Sequence, residues 1–151
     1  MNPARREFYR PEIIVKEVEQ KVNKTKERGE RIDYLAFVPD GEPSLDIHLG
    51  DELDLLHPFG IKTGVITNAS LIWQEDVRKD LMKADWVSLK VDAVDRSIWQ
   101  RVNRPHHDLK LSVILEGMLH FAREYPGKLV TETMLVRNVN DSVAHIKELV
   151  P

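Results

Sequence analysis

Short, nearly continuous apolar runs alternate along this chain with longer stretches in which apolar residues recur every three or four positions. The runs are Ile32–Val38, Gly64–Thr67, Trp86–Val91 and Leu129–Val136. Each has the length of a buried strand. Between them, Ile14, Val18 and Val22 form a helical stripe that starts near Pro11, a favoured first helical residue, and stops at Gly29. Ser44 is placed to cap a second helix, whose stripe is Leu45, Leu49, Leu53 and Leu56 and whose end is marked by Pro58 and Gly60. Val77 and Leu81 point inward from a third helix, Gln74 to Lys83. Ser97–Val102 reads as a short helix before the polar break Asn103–Asp108, and Leu111, Leu115, Met118 and Ala122 build a long one that Gly127 ends. Asn140 is placed to cap the last.

Repeating strand–helix units of this kind predict an α/β fold: a parallel sheet covered by helices, with right-handed crossovers. A doubly wound sheet and a partial barrel both fit the pattern. The chain has 151 residues, enough for one domain, and shows no repeat, low-complexity segment or linker. With 42% hydrophobic and 31% charged residues it has the composition of a folded globular protein. No apolar run approaches the ~20 residues of a membrane helix, and the N-terminus lacks a signal-peptide core, so a cytoplasmic location is expected. A net charge of −3 gives no global attraction to nucleic acid or anionic membranes. Arg5, Arg6 and Arg10 cluster locally and read as solvated. The absence of cysteine excludes disulfides.

Candidate chemistry gathers at the strand ends, where parallel α/β proteins bind ligands. The first strand runs into Asp40, Gly41, Glu42 and Pro43, a turn with two carboxylates beside a glycine that admits close backbone approach. The other ends carry Thr67/Asn68, Lys90/Asp92 and Arg137/Asn138. Ser88 and Lys90 share one side of their strand, as does Asp92 if the strand reaches it. Glu42 and Lys90 supply opposite charges for a zwitterion, although Lys90 is equally a partner for Asp92 or Asp85. On the last strand Val130, Glu132, Met134 and Val136 share a face. Glu132 is a costly acid to bury unpaired, hence a candidate ligand residue; Met134 fits a core position as well as a ligand contact. His106-His107-Asp108 reads as a polar loop rather than a metal site, because adjacent histidines rarely address one ion. His48, His57, His120 and His145 fall on helices or their ends as surface or interface residues.

Gly41-Glu42-Pro43 at a strand end resembles the Gly-Glu-Pro form of the second-strand motif of radical S-adenosylmethionine (SAM) enzymes. The stretch Phe37–Pro43 resembles a subgroup related to the tRNA wyosine-synthesis enzymes. The likeness continues through Ile66-Thr-Asn68, Asp85–Asp92, Asn103-Arg-Pro-His106, Glu132–Val136 and Asn140-Asp141. This resemblance selects part of a partial TIM-type (β/α)6 barrel. It implies a SAM site at the strand C-termini, formed by Asp40, Gly41, Glu42, Pro43, Asn68, Ser88, Lys90, Asp92, Glu132 and Met134. In that reading Glu42 meets the methionine ammonium, Lys90 lies near the carboxylate, Glu132 serves the ribose or substrate, and Met134 packs on adenine.

One departure is large. Members of that superfamily hold a 4Fe–4S cluster on three closely spaced cysteines, and this chain has none. The resemblance therefore implies a partial core domain over residues 1–151, from about the second strand to the fifth helix of the barrel, with strand 1 and the cluster loop missing. The full-length parent would generate a radical from SAM and act on tRNA or on a protein, while this chain alone would be inactive. An exposed sheet edge would favour self-association. Two alternatives remain open: a cluster-less SAM-binding scaffold, and an unrelated doubly wound enzyme.

Overall fold

The structure is a computed structural model that describes residues 3–38 and 41–149. Its helices are α1 (Pro11–Glu27), α2 (Leu49–Leu56), α3 (Glu75–Leu81), α4 (Arg96–Asn103), α5 (Leu111–Glu124) and α6 (Val143–Leu149), and its strands are β1 (Tyr34–Phe37), β2 (Lys62–Thr67), β3 (Trp86–Lys90) and β4 (Lys128–Glu132). The four strands form one parallel sheet in chain order, β1-β2-β3-β4. This is the α/β arrangement that the alternating pattern predicts.

Alternation along each strand separates two faces. Val65, Val87 and Leu89 turn to one side and join Leu49, Leu53, Leu81 and Phe121 from the helices in a single buried cluster, with Leu129 packed against it. Gly64, Ile66, Ser88, Lys90 and Glu132 lie on the opposite face. At Gly64 the sheet has no room for a side chain: a Cβ would sit 2.8 Å from Cε3 of Trp86, whose ring spans toward Tyr34 with centroids 6.3 Å apart. Gly29, at φ 69°, follows α1 in the left-handed conformation that favours glycine.

Several local expectations are corrected. Ser44 does not cap a long helix. Pro43–Leu45 is a single 3-10 turn, and α2 begins only at Leu49. The intervening backbone is held extended by a non-local pairing, in which Arg6 N–H donates to Leu45 O (2.9 Å) and Ile47 N–H to Arg6 O (3.2 Å). Arg5 is correspondingly not solvated: its side chain is 10% exposed and bonds Asp76 (2.6 Å), Asp80 (2.5 Å) and the carbonyl of Asp46 (2.7 Å). β1 spans 34–37 rather than 32–38. β4 stops at Glu132 rather than Val136, because β3 ends at Lys90 and leaves nothing further to pair with. Met134 is therefore outside the strand and 46% exposed, not a core residue.

Asn140 caps no helix. It is fully buried and closes the turn after β4, accepting from Val136 N–H (2.6 Å) and donating to Met134 O (2.8 Å) and Asp92 O (3.0 Å). His145, expected at the surface or an interface, is buried with Nε2 3.2 Å from that same Asp92 carbonyl.

Candidate functional site at the strand C-termini

The first strand end is organised by one side chain. Glu42 is 5% exposed, and its Oε1 accepts from Ser44 N–H (3.1 Å), Ser44 Oγ–H (2.7 Å) and the Thr67 hydroxyl. Its Oε2 accepts from Asn68 N–H (2.7 Å). The carboxylate thus ties the turn after β1 to the end of β2. Four donors approach a group with about four acceptor positions, and Oε2, with a single donor, has capacity left. The Asn68 side chain folds back locally, its Oδ1 accepting from Ser70 N–H at 2.8 Å. A Cβ on Gly41 would meet nothing within 4 Å, so the space beside the turn is open. Asp40 lies outside the described residues.

The second strand end is organised by Asp92, 2% exposed. Its Oδ2 accepts from Asn103 Nδ2 (2.6 Å) and lies 3.4 Å from Lys90 Nζ, while Oδ1 accepts from Met134 N–H (2.7 Å). Asp92 therefore locks together the ends of β3, α4 and β4, and Lys90, whose side chain is 37% exposed, faces both this anion and open space. Ser88 is fully buried and donates to Glu132 Oε1 at 2.6 Å, so the acid on β4 is paired rather than orphaned.

A cavity of about 350 Å³ opens over these ends, with Asn68, Lys90, Asp92, Asn103, Arg104 and His106 among its walls. Of the residues singled out in the sequence it brings Asn68, Lys90 and Asp92 together. Glu42, Gly41 and Pro43 line instead an adjoining cavity of about 800 Å³, between the N-terminal segment, β1 and α2. Ser88, Glu132 and Met134 line neither.

Two polar groups escaped the sequence reading. Asn103 Oδ1 is buried without a partner in the wall of the smaller cavity. Glu52 is 2% exposed in the wall of the larger one; its Oε1 has no partner, and burial, reinforced by the charge of Asp46, pushes its carboxyl up to about 7. Glu52 was findable, since it sits three residues after Leu49 and four before Leu56, on the apolar stripe itself. His106, His107 and Asp108 do converge, with ligand-type atoms within 4.8 Å of one another, because the two rings lie 4.1 Å apart at a 32° tilt and Asp108 faces both.

Comparison with known proteins places the chain in a family. The radical SAM superfamily profile matches residues 1–150. A UPF0026 protein of Methanocaldococcus jannaschii is 54% identical over 135 residues, which are 89% of this chain and 41% of that protein. The chain thus spans about two fifths of the length of that curated relative. Among solved structures, TYW1 with a lysine-pyruvate adduct bound superposes with a TM-score of 0.66 at 18% identity, over 90% of this chain and 48% of that one. A domain of pyruvate-formate lyase-activating enzyme from Bacteroides vulgatus gives 0.58 at 21% identity, over 76% and 68%. These structural neighbours share the fold, which is of the partial TIM-barrel type.

Proposed function

This chain belongs to the radical SAM superfamily, and from that premise we propose that it is the SAM-binding part of the catalytic barrel of a longer radical SAM enzyme, running from about the second strand to the fifth helix over residues 1–151. The observation that carries the proposal is the pairing of the superfamily match with a cavity over the strand ends that offers both a half-exposed cation, Lys90, and an unpartnered buried acceptor, Asn103 Oδ1. A methionine zwitterion needs such complementary groups. In this reading Lys90 takes the carboxylate, and Glu42 Oε2, from the adjoining cavity, takes the ammonium with the carbonyls of the Gly41–Pro43 turn. Asn68 and Asp92 border the sugar. Glu132, held by Ser88, and Met134 line neither cavity and make no contact with the ligand in this reading.

The 4Fe–4S cluster of the superfamily does not fit this chain. Thiolate ligands are required and the sequence has no cysteine. The cluster therefore belongs to a cysteine-bearing segment of the longer protein, and residues 1–151 alone should not generate a radical. The wyosine-synthesis resemblance favours tRNA as the substrate of that protein, with a protein substrate as the alternative. No helix among the described residues is long and apolar enough to cross a membrane; we place the protein in the cytoplasm. Among the described residues β1 and β4 are the outer strands of the sheet, and their edges offer routes to self-association.

Calorimetric titration of SAM into this chain and its variants tests the proposal. Glu42→Gln and Lys90→Ala should each weaken binding by roughly one decade, the worth of a charge-assisted hydrogen bond. Unchanged affinity in both variants would remove the site. Anaerobic reconstitution with iron and sulfide should leave the chain without the absorbance of a cluster.

A further inference from the structure

A third cavity, of about 730 Å³, is walled by α4, the α4–α5 connection and the start of α5, and shares Trp99, Arg104 and His106 with the strand-end cavity. No carboxylate lines it. Arg96, Arg104 and Lys110 do, and none of the three makes an ion pair or side-chain hydrogen bond to another described residue. The nearest acid in the loop, Asp108, is occupied by His106 and His107 at 3.4 and 3.2 Å. In a chain whose net charge is −3, an acid-free wall with three unpaired cations is a local concentration of positive potential. Trp99, half-buried against the core, gives the same wall an aromatic face.

Arg104 carries an independent signal. It is the residue after α4 and sits at φ 45°, ψ 56°, the left-handed conformation in which glycine is the ordinary occupant. The following Pro105 disfavours helical backbone and pushes its predecessor toward extended conformations, which adds to the strain. Arg104 is exposed, so burial of its side chain does little to offset this. A strained position kept by a long cationic side chain, where glycine would be more stable, marks a group held for a ligand.

We propose that this cavity binds a nucleoside phosphate, with the phosphate among Arg96, Arg104 and Lys110 and the base against Trp99. Guanidinium groups match phosphate oxygens in paired hydrogen bonds, and a base of any identity stacks on an indole. Because the two cavities share a wall, the nucleotide would present its sugar or base edge toward the strand ends, and Arg104 would sit between the two chambers. That it is a substrate rests on the SAM reading of the neighbouring cavity; that it binds does not.

The test is calorimetric titration of adenosine 5′-monophosphate, adenosine and inorganic phosphate into the chain without SAM, so that failure here and failure of SAM to bind are separate results. The monophosphate should bind at least tenfold more tightly than either adenosine or phosphate, and weaken as salt rises. Arg104→Gly should lose about tenfold in that affinity, by the worth of one charge-assisted contact. It should at the same time raise the thermal midpoint by ~2–4 °C through relief of the backbone. Lys16→Ala, an equal loss of charge on the exposed face of α1, should change neither. The proposal is overturned if the monophosphate binds no better than adenosine or phosphate, if Lys16→Ala weakens it as much as Arg104→Gly, or if Arg104→Gly leaves the thermal midpoint unchanged or lower.

Discussion

Two buried glutamates ten residues apart meet opposite surroundings. Glu42 is 5% exposed and receives four protein donors, two from Ser44, one from Thr67 and one from Asn68. Glu52 is 2% exposed and receives none from the described residues; the nearest charges that act on it include two further acids, Asp46 and Asp51, against a single histidine, His48. Both carboxyls have left water, but only the first has its hydration replaced. The difference separates a carboxylate that organises the site from one that opposes folding whenever it ionises.

The largest effect should come from removing the satisfied acid. Glu42→Ala leaves two amides and two hydroxyls without their acceptor at the junction of β1 and β2, and should cost about 4 kcal/mol of stability. Urea denaturation measures it. A cost below about 1 kcal/mol would mean that water replaces the carboxylate readily and that the contrast with Glu52 is empty.

Next comes Glu52, with the opposite sign and a dependence on pH. Below about pH 4.5 the group is protonated in folded and unfolded chains alike. Between 4.5 and about 7 the unfolded chain releases the proton while the folded chain retains it, so stability falls as pH rises through that window and the loss is complete above it. Glu52→Gln cannot ionise. It should leave stability unchanged at pH 4 and raise it by about 2–3 kcal/mol at pH 8. Chemical denaturation at the two pH values decides between this and a Glu52 that finds a solvent partner, for which the variant would be neutral at both.

The contrast also shows what could be read from sequence alone. The four strands and most of the helices were legible because apolar spacing is a local property: Val65, Val87 and Leu89 announce themselves without knowledge of their partners. What failed depended on distant residues. The start of α2 was displaced because Arg6, forty residues away, pairs with the backbone at 45–47. The end of β4 was overrun because strand length is set by the partner β3, and His145 and Asn140 were misjudged because the carbonyl that engages them belongs to Asp92. The candidate site divides in the same way. Glu42, Lys90 and Asp92 were expected as one set, but Lys90 and Asp92 line one cavity and Glu42 the adjoining one, and the clamp through Thr67 and Asn68 and the lock through Asn103 join segments that sequence spacing does not relate.

A smaller effect is expected at Thr67. Its hydroxyl donates to Glu42 and accepts Ala69 N–H at 2.9 Å, so Thr67→Val removes one of four donors and orphans one amide. The cost should be about 1.5 kcal/mol, less than half that of Glu42→Ala, since three donors remain. Combining the two substitutions should cost no more than Glu42→Ala and the loss of the Ala69 contact together, because the shared bond is counted once. A fully additive double mutant, read from denaturation midpoints, would show that the Thr67 hydroxyl acts independently of the carboxylate.

The smallest expected effect sharpens the other half of the comparison. Asp46 acts on Glu52 only through its charge: after burial, it is the largest influence holding the Glu52 carboxyl above its ordinary value. Its own Oδ1 accepts from His48 N–H at 2.9 Å, a bond that the amide oxygen of asparagine can keep. Asp46→Asn should therefore leave the backbone around the start of α2 intact while removing one negative charge beside Glu52. The carboxyl of Glu52, followed by its carbon chemical shift across a pH titration, should move down toward 4.5 without reaching it, because burial is the larger cause and is untouched. Stability at pH 8 should rise only slightly, well below the gain from Glu52→Gln. A titration that returned fully to the ordinary value would make Asp46, and not the lack of donors, the source of the difference between the two glutamates; a titration that did not move would leave desolvation as its whole cause.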